Sequence, residues 1–315
     1  MKNNLSKVFN RTPKLLMCLV IGLTLTFSCA DPYLYDDEEP EWLGASIYDY
    51  LDKDGHFQNY IKLINDLNYD DVLKLTGSKT LFVANDSAFT EFYKNNQWGV
   101  SSYDELTLAQ KKYIFKFSMI DNAYILSRLA NYNVSGTLYE GIAMRQATTL
   151  AAIDSIPFVR GEALPTSSYW DGRRETGIYL LKDNTDYPTV FFTQAFLNKY
   201  AFTNEDLSIL LGLNSRSTDD VHVFNNKVIE RDITCKNGYI HILQSVLIPP
   251  TNMAQYIQDN HGTDATKSTK TFSKLLDRFC APYFDPASTL QYRQLQPLFT
   301  DSIFMKRYFA SNGGK

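Results

Sequence analysis

The chain of 315 residues is long enough for one large domain or two of ordinary size. Its 44% hydrophobic and 21% charged residues suit a globular protein with a substantial core. The first 28 residues hold four of the 31 bases and no acid, so their removal leaves 27 bases (31 − 4) against 35 acids. The resulting acidic balance argues against nucleic acid as a partner, because phosphate binding needs a basic face.

The N-terminal residues predict export. A basic stretch precedes the apolar run LLMCLVIGLTLTF at 15–27, which is too short for a membrane-spanning helix and is typical of a secretory signal peptide. The run ends at Ser28-Cys29-Ala30, which resembles the lipobox of bacterial lipoproteins. The resemblance implies that residues 1–28 are removed and that Cys29 is acylated. The alternative is an ordinary signal peptide with an incidental cysteine.

An acidic run at 36–39 predicts a solvated tether over residues 29–44. The run resembles the acidic residues that follow the lipidated cysteine in Bacteroidota-type lipoproteins, which are a signal for export to the outer face. We therefore expect a lipid-anchored protein of the outer membrane, and leave display on the cell surface open. Cys235 and Cys280 remain in the folded part, and we favour two buried thiols over a disulfide. No metal-site spacing occurs, and no cofactor is expected.

Three segments have clear secondary-structure patterns in the first half of the chain. The apolar spacing from Ser46 to Leu67 predicts a helix. The stretch TLFVANDSAF (80–89) joins a strand-like run to Asn85 or Asp86, either of which is suited to cap a following helix. We interpret this stretch as a strand-to-helix corner. A further apolar stripe over 106–120 predicts a longer helix.

The second half is richer in strand patterns. A strand is predicted at 137–144 with a turn at Gly141, and a helix at 204–212. Residues 219–250 alternate apolar and polar side chains, which predicts successive antiparallel strands. The turn signal between the last two strands is Asn237-Gly238.

Two of these segments carry a family resemblance. TLFVANDSAF (80–89) resembles the first signature box of the fasciclin (FAS1) domain, and NGYIHIL (237–243) resembles the second. The resemblance covers about residues 45–250, with 145–220 as an insertion. It implies an α+β fold in which a fasciclin-like wedge of antiparallel β-strands packs against a helical layer.

The chain also departs from the family pattern. Val83-Ala84 stands where Ala-Pro is usual. Some animal members have a Tyr-His pair, tied to receptor binding, on the helix after the first box, and the matching residues 116–119 lack that histidine. The receptor activity is therefore not carried over to this chain.

The apolar spacing over 272–279 repeats that over 57–64, which indicates an internal repeat. We interpret residues 251–315 as the start of a second, truncated FAS1-like module of helical character. The apolar face of 272–279 would then lack its sheet. The alternative is that these helices pack as an appendage on the first module.

No motif of an enzyme is present, so we expect a non-catalytic protein. His241 lies in a predicted strand, and we expect a hydrogen-bonded structural histidine because no nucleophile motif accompanies it. The acidic pairs Asp70-Asp71 and Asp219-Asp220 are interpreted as a helix start and a loop, rather than as calcium ligands.

Trp170 and Tyr169 form the most site-like cluster. An exposed tryptophan on this glycine-containing loop is suited to stack on a sugar or to anchor a protein. The alternative, which we favour slightly, is an aromatic plug that holds the insertion onto the domain.

The resemblance to the fasciclin and lipoprotein families implies a cell-envelope lipoprotein for adhesion or macromolecular binding, with no catalysis. Its expected partners are a protein or polysaccharide at the cell surface and the membrane, reached through the N-terminal lipid. The alternative is an accessory glycan-binding lipoprotein of an outer-membrane nutrient-uptake system, with its site in the insertion at 145–220.

Overall fold

The computed structural model describes seven ranges and four short strands near the insertion. The ranges are residues 44–75, 77–130, 156–181, 189–213, 216–248, 253–259 and 268–309, and the backbone is also described for 132–134, 137–139, 146–148 and 187–189. The predicted signal peptide, residues 29–43 of the tether including Cys29, and Gly141 lie outside the described residues.

The described chain contains both helices and strands. The α-helices are α1 (Ile47–Asp54), α2 (Gln58–Asp66), α3 (Asp70–Leu75), α4 (Asp86–Lys94), α5 (Leu108–Phe117), α6 (Asp171–Thr176), α7 (Gln194–Lys199), α8 (Asn204–Leu211), α9 (Met253–Asp259), α10 (Lys270–Arg278) and α11 (Pro286–Leu295). The strands are β1 (Lys79–Ala84), β2 (Met119–Ile120), β3 (Tyr132–Val134), β4 (Thr137–Tyr139), β5 (Gln146–Thr148), β6 (Phe158–Val159), β7 (Ile178–Leu181), β8 (Tyr187–Thr189), β9 (Phe191–Phe192), β10 (His222–Val223), β11 (Asn226–Cys235), β12 (Gly238–Leu243), β13 (Cys280–Phe284) and β14 (Ile303–Tyr308). The predicted α+β class is confirmed.

The larger sheet has six strands in the order β2-β1-β12-β11-β10-β9. The predicted antiparallel strands of the 219–250 region are present as β10, β11 and β12. The pairing of β1 with β12 is parallel, whereas the other neighbours in this sheet are antiparallel. The parallel pair therefore joins the two segments that are distant in sequence and resemble the two fasciclin boxes.

Both faces of this central pair are buried. Leu81 and Val83 lie beside Ile240 and Ile242 in a core that also contains residues of α1, α2 and α4. The next position, Phe82, faces the opposite side and belongs to a second core. Coverage on both faces explains why β1 and β12 are apolar at nearly every position, as strands buried on both faces are.

The predicted turn lies one position earlier, at Lys236-Asn237, and Gly238 begins β12 opposite Cys235. The Asn237 side chain is buried, donates from Nδ2 to the Leu73 carbonyl oxygen at 2.6 Å, and accepts from the Ile47 amide at 2.9 Å. The side chain therefore provides hydrogen-bond partners both for a carbonyl group in the last turn of α3 and for an amide group in the first turn of α1. Because buried amide and carbonyl groups are costly when unpaired, this side chain fixes both helices to the end of β12.

The polar residues after β1 form the predicted strand-to-helix corner. Asn85 caps α4, since its side-chain oxygen accepts from the Ala88 amide at 2.9 Å. Asp86 instead reaches a different helix, and its carboxylate accepts from the amides of Gln58 and Asn59 at 2.9 and 2.8 Å. The first turn of α2, which has no cap from its own chain neighbour Phe57, is thus capped from the corner.

Two predicted helices have different bounds. The predicted helix from Ser46 to Leu67 is two helices, because Gly55 adopts φ +79° and ends α1 in a left-handed cap. The predicted helix over 106–120 is shorter. Thr107 and Gln110 form a capping box that starts α5 at Leu108, and Ile120 belongs to β2.

A second sheet of four strands, in the order β13-β14-β7-β6, joins the insertion to the C-terminal segment. β14 runs parallel to β7, while β13 with β14 and β6 with β7 are antiparallel. The directions repeat those of β2-β1-β12-β11 in the larger sheet. The strand-to-helix corner is repeated as well, since Asp285 caps α11 after β13 and accepts from the Ser288 amide at 3.2 Å.

The apolar face of α10 is partly open. Phe272, Leu275 and Phe279 are 52%, 48% and 55% exposed, whereas Ser273 on the opposite side is buried. The expected purely helical character of the C-terminal segment is wrong, because it also contributes β13 and β14 to the second sheet. The interpretation of residues 251–315 as a truncated FAS1-like module stays a prediction.

We predict that Gly238→Ala destabilises the protein by roughly 3 kcal/mol or more. Gly238 has φ +147°, and a Cβ atom there would overlap the Lys79 carbonyl group across the β1–β12 pair. Gly172→Ala is the matched control, because its Cβ would meet no atom within 4 Å. Urea unfolding should show the control to be neutral or slightly more stable, and equal effects of both changes would contradict the close approach.

Candidate functional site

His241 lies at the junction of the two paired segments and is fully buried. The Asp232 amide donates to Nδ1 at 3.1 Å, so the proton is on Nε2, which lies 3.1 Å from the Tyr124 carbonyl oxygen. The imidazole also lies 4.9 Å from the Phe82 ring, the position paired with His241 across β1 and β12. The predicted hydrogen-bonded structural histidine is confirmed.

The environment of His241 favours the neutral ring. Burial lowers the pKa of His241, and the hydrogen bond to Tyr124 and the Asp232 carboxylate, 3.8 Å away, oppose this only in part. Burial also lowers the pKa of His222. Both ring nitrogens of His241 are already bonded to backbone groups, so the ring is not free to exchange a proton with a substrate.

The other candidate residues are placed in structural roles. Asp70 begins α3 and pairs with Lys74 at 3.2 Å, and Asp220 pairs with Lys227 at 2.8 Å. Among the residues that the structure describes, no group of three or more His, Cys, Asp or Glu side chains is arranged to hold a metal ion.

The two cysteines of the folded part are free thiols, as we favoured, and they lie in different cores. Burial raises the pKa of both Cys235 and Cys280 to about 11. A thiol with a raised pKa is a poor nucleophile at neutral pH, because the thiolate is the reactive form.

Trp170 is not the exposed ligand contact that its loop suggested. Its ring is fully buried with Leu164, Ile178 and Cys280, and Nε1 donates to the Cys280 carbonyl oxygen at 2.9 Å. The structure thus agrees with the alternative of an aromatic plug. The plug joins the insertion to β13 of the C-terminal segment, a partner that the sequence did not indicate.

Tyr169, the neighbour of this plug, remains at the surface. Its side chain is 58% exposed, and its ring meets the edge of Phe309 with the centroids 5.0 Å apart. It lines a cleft of about 780 Å³. One wall is residues 162–169 of the insertion and the other is Lys274, Asp277 and Arg278 of α10. The volume falls in the usual range for sites of small ligands.

The cleft walls are held in place by hydrogen bonds from outside the cleft. Arg174 donates to the carbonyl oxygens of Leu164 and Pro165 at 3.5 and 3.4 Å. On the other wall, Lys306 binds the Asp277 carboxylate at 3.0 Å. These contacts, with the Trp170 plug, fix the loop and the helix that face each other, which limits the ordering cost of binding.

The lining is polar and of mixed charge. Asp277 is neutralised by Lys306, but within the described ranges Glu162, Lys274 and Arg278 form no ion pair. The Ser167 hydroxyl oxygen is buried and has no hydrogen-bond partner among the described residues. The cleft therefore offers two cations, one carboxylate and the exposed hydroxyl groups of Thr166 and Ser168, which suits binding of a polar molecule.

Sequence reasoning found Tyr169 but missed the other wall of this cleft. Lys274 and Arg278 are one turn apart on α10, and that spacing alone is typical of any solvated helix face. The pairing of β14 with β7 and the bond from Trp170 to Cys280 bring α10 to the insertion.

A scan of family models and a search of curated proteins gave no match to this chain. None of the helices in the described ranges has the length and apolar content needed to cross a membrane. The interpretation of the site therefore depends on its own geometry.

We predict that Trp170→Ala lowers the free energy of unfolding by about 3–5 kcal/mol, because it leaves a cavity and an unpaired Cys280 carbonyl group. Tyr169→Ala is the matched control, with an expected change below about 1 kcal/mol for an exposed ring. Urea unfolding measures the stability, and amide exchange of β13 reports whether the C-terminal segment loosens first. An undiminished stability of Trp170→Ala would contradict the plug.

Stability is expected to depend on pH through His241. Its folded pKa is lowered, so below the unfolded value of about 6.5 the unfolded chain binds the additional proton. The free energy of unfolding should be constant between about pH 7 and 8 and fall as the pH drops below about 6.5, by at most about 1.4 kcal/mol per pH unit for each such histidine.

The His241→Gln variant should have a shallower pH slope than the natural protein, with a residual slope from His222. The matched control is Ile242→Val, which is expected to cost about 0.5–1.5 kcal/mol and to leave the slope unchanged. Chemical unfolding at a series of pH values measures both, and an identical slope in His241→Gln would contradict the assignment.

Proposed function

We propose that the protein is a cell-envelope lipoprotein, anchored in the outer membrane through Cys29, with a fasciclin-like module that binds a protein or polysaccharide at the cell surface without catalysis. The observation that supports this most is the parallel pair of β1 and β12. It places the two segments that resemble the fasciclin boxes, residues 80–89 and 237–243, side by side. A likeness of fold supports only the partner class, because one fold serves many functions.

The chemistry of the described residues supports a passive role. His241, in the second box, is bonded on both nitrogens to backbone groups. The thiols of Cys235 and Cys280 are buried with raised pKa values. These three side chains are therefore committed to the fold, whereas the charged groups of the cleft are open to solvent.

A second candidate function is favoured by the cleft itself. An accessory lipoprotein that holds glycans for an outer-membrane transporter needs a polar groove with an exposed aromatic ring. The wall at 162–169 provides both, and it lies in the insertion where such a site was expected. In this candidate the ligand is released intact to the transporter.

The proposal is tested in cells that lack the gene and are complemented with the natural protein or with Cys29→Ser. The natural protein should restore adhesion of the cells to immobilised proteins or polysaccharides. The Cys29→Ser variant should be absent from the outer-membrane fraction and fail to restore adhesion. Its serine cannot be acylated, so no lipid holds it in that membrane.

If cells that lack the gene fail to grow on a polysaccharide but adhere normally, the result would favour the uptake function over adhesion. Membrane association of Cys29→Ser equal to that of the natural protein would contradict the lipid anchor. Turnover of a bound polymer by the purified protein would contradict a binding role.

A further inference from the structure

The cleft between the insertion and α10 has a charge distribution that favours an anionic group. Lys274 and Arg278 are exposed, lie one helical turn apart and line the same wall. The neighbouring carboxylate of Asp277 is already bonded to Lys306, so it does not neutralise them. A planar guanidinium with an ammonium nearby is suited to hold a carboxylate.

The opposite wall has the features of a site for a hydroxylated ring. The Tyr169 ring is mostly exposed and is held by Phe309, so it offers a fixed apolar face. Thr166 and Ser168 also line the cleft and provide exposed hydroxyl groups beside the ring. Such groups both donate and accept hydrogen bonds, which suits the hydroxyl groups of a ligand.

Glu162 restricts the class of anion. Its free carboxylate lines the cleft opposite the two cations, where it is suited to accept hydrogen bonds from ligand hydroxyl groups. It also repels a second negative charge. The cations belong to the last turns of α10, whose C-terminal end carries partial negative charge and disfavours a dianion such as phosphate.

We propose that this cleft binds a carboxylated saccharide, a chain of uronic acid units, with one ring stacked on Tyr169 and a sugar carboxylate held by Lys274 and Arg278. The Glu162 carboxylate and the hydroxyl groups of Thr166 and Ser168 bind its hydroxyl groups. This inference depends on the proposed binding function and names the ligand class of one site. Each sugar unit has one negative charge, one ring and several hydroxyl groups, which match the three kinds of group that line the cleft.

The test is calorimetric titration of the full chain, purified in detergent, with tetragalacturonate and with its methyl ester. The ester keeps the rings and hydroxyl groups and removes the charge. We expect tetragalacturonate to bind at least about tenfold more tightly than the ester, because charge-assisted hydrogen bonds are the stronger ones.

The site is assigned with two variants and a matched control. Lys274→Gln/Arg278→Gln should weaken binding of tetragalacturonate by about tenfold or more, and Tyr169→Ala should weaken both ligands. Lys199→Gln/Lys270→Gln removes the same charge from exposed lysines that do not line the cleft, and should bind as the natural protein does. Each variant is checked for an unchanged unfolding transition.

Three results would overturn the inference. These are the absence of binding to either ligand, equal binding of acid and ester, and binding that survives the Lys274→Gln/Arg278→Gln change. Displacement of tetragalacturonate by an equal concentration of inorganic phosphate would also overturn it, because it would show a general anion site. Cell adhesion that persists in the cleft variants would leave the proposed adhesion function standing while this site fails, so the two failures are distinguishable.

Discussion

The parallel pairing of β1 with β12 is the constraint on which the rest of the structure depends. Residues more than 150 positions apart align in register, and the Lys79 backbone approaches Gly238 so closely that no side chain fits there. Asn237 then ties α1 and α3 to the same strand end, while Asp86 caps α2 from the corner after β1. Helices that are individually too short to be stable in water are thus held by polar contacts to one strand pair as well as by apolar burial.

The second sheet joins the insertion to the C-terminal segment. β14 lies beside β7, and Trp170 donates to the Cys280 carbonyl, so the insertion and the C-terminal segment bury each other's apolar residues. The cleft lies where these two segments meet, and neither segment contains both of its walls. A change in the Trp170 plug would therefore alter the shape of the cleft without touching a lining residue.

The sequence predicts local structure here better than contacts. The Asn85 corner, the turn before β12 (within one residue) and the hydrogen-bonded His241 follow from cap chemistry, turn chemistry and strand alternation, all of which depend on near neighbours. The burial of Trp170 and the pairing of Lys274 and Arg278 with the insertion depend on strand partners more than 100 positions away. No periodicity in a single sequence reports such partners. A glycine such as Gly55 can indicate the end of a helix, but the apolar spacing on both sides of it indicated one continuous helix.

The central claim is the register of β1 against β12, and methyl-labelled NMR of the full chain tests it most directly. The account predicts nuclear Overhauser contacts between the methyl groups of Leu81 and Ile240 and between those of Val83 and Ile242, because paired side chains on one face lie about 5 Å apart. Contacts shifted by one residue would place these side chains on the wrong face. Their absence, or a shifted set, would contradict the account.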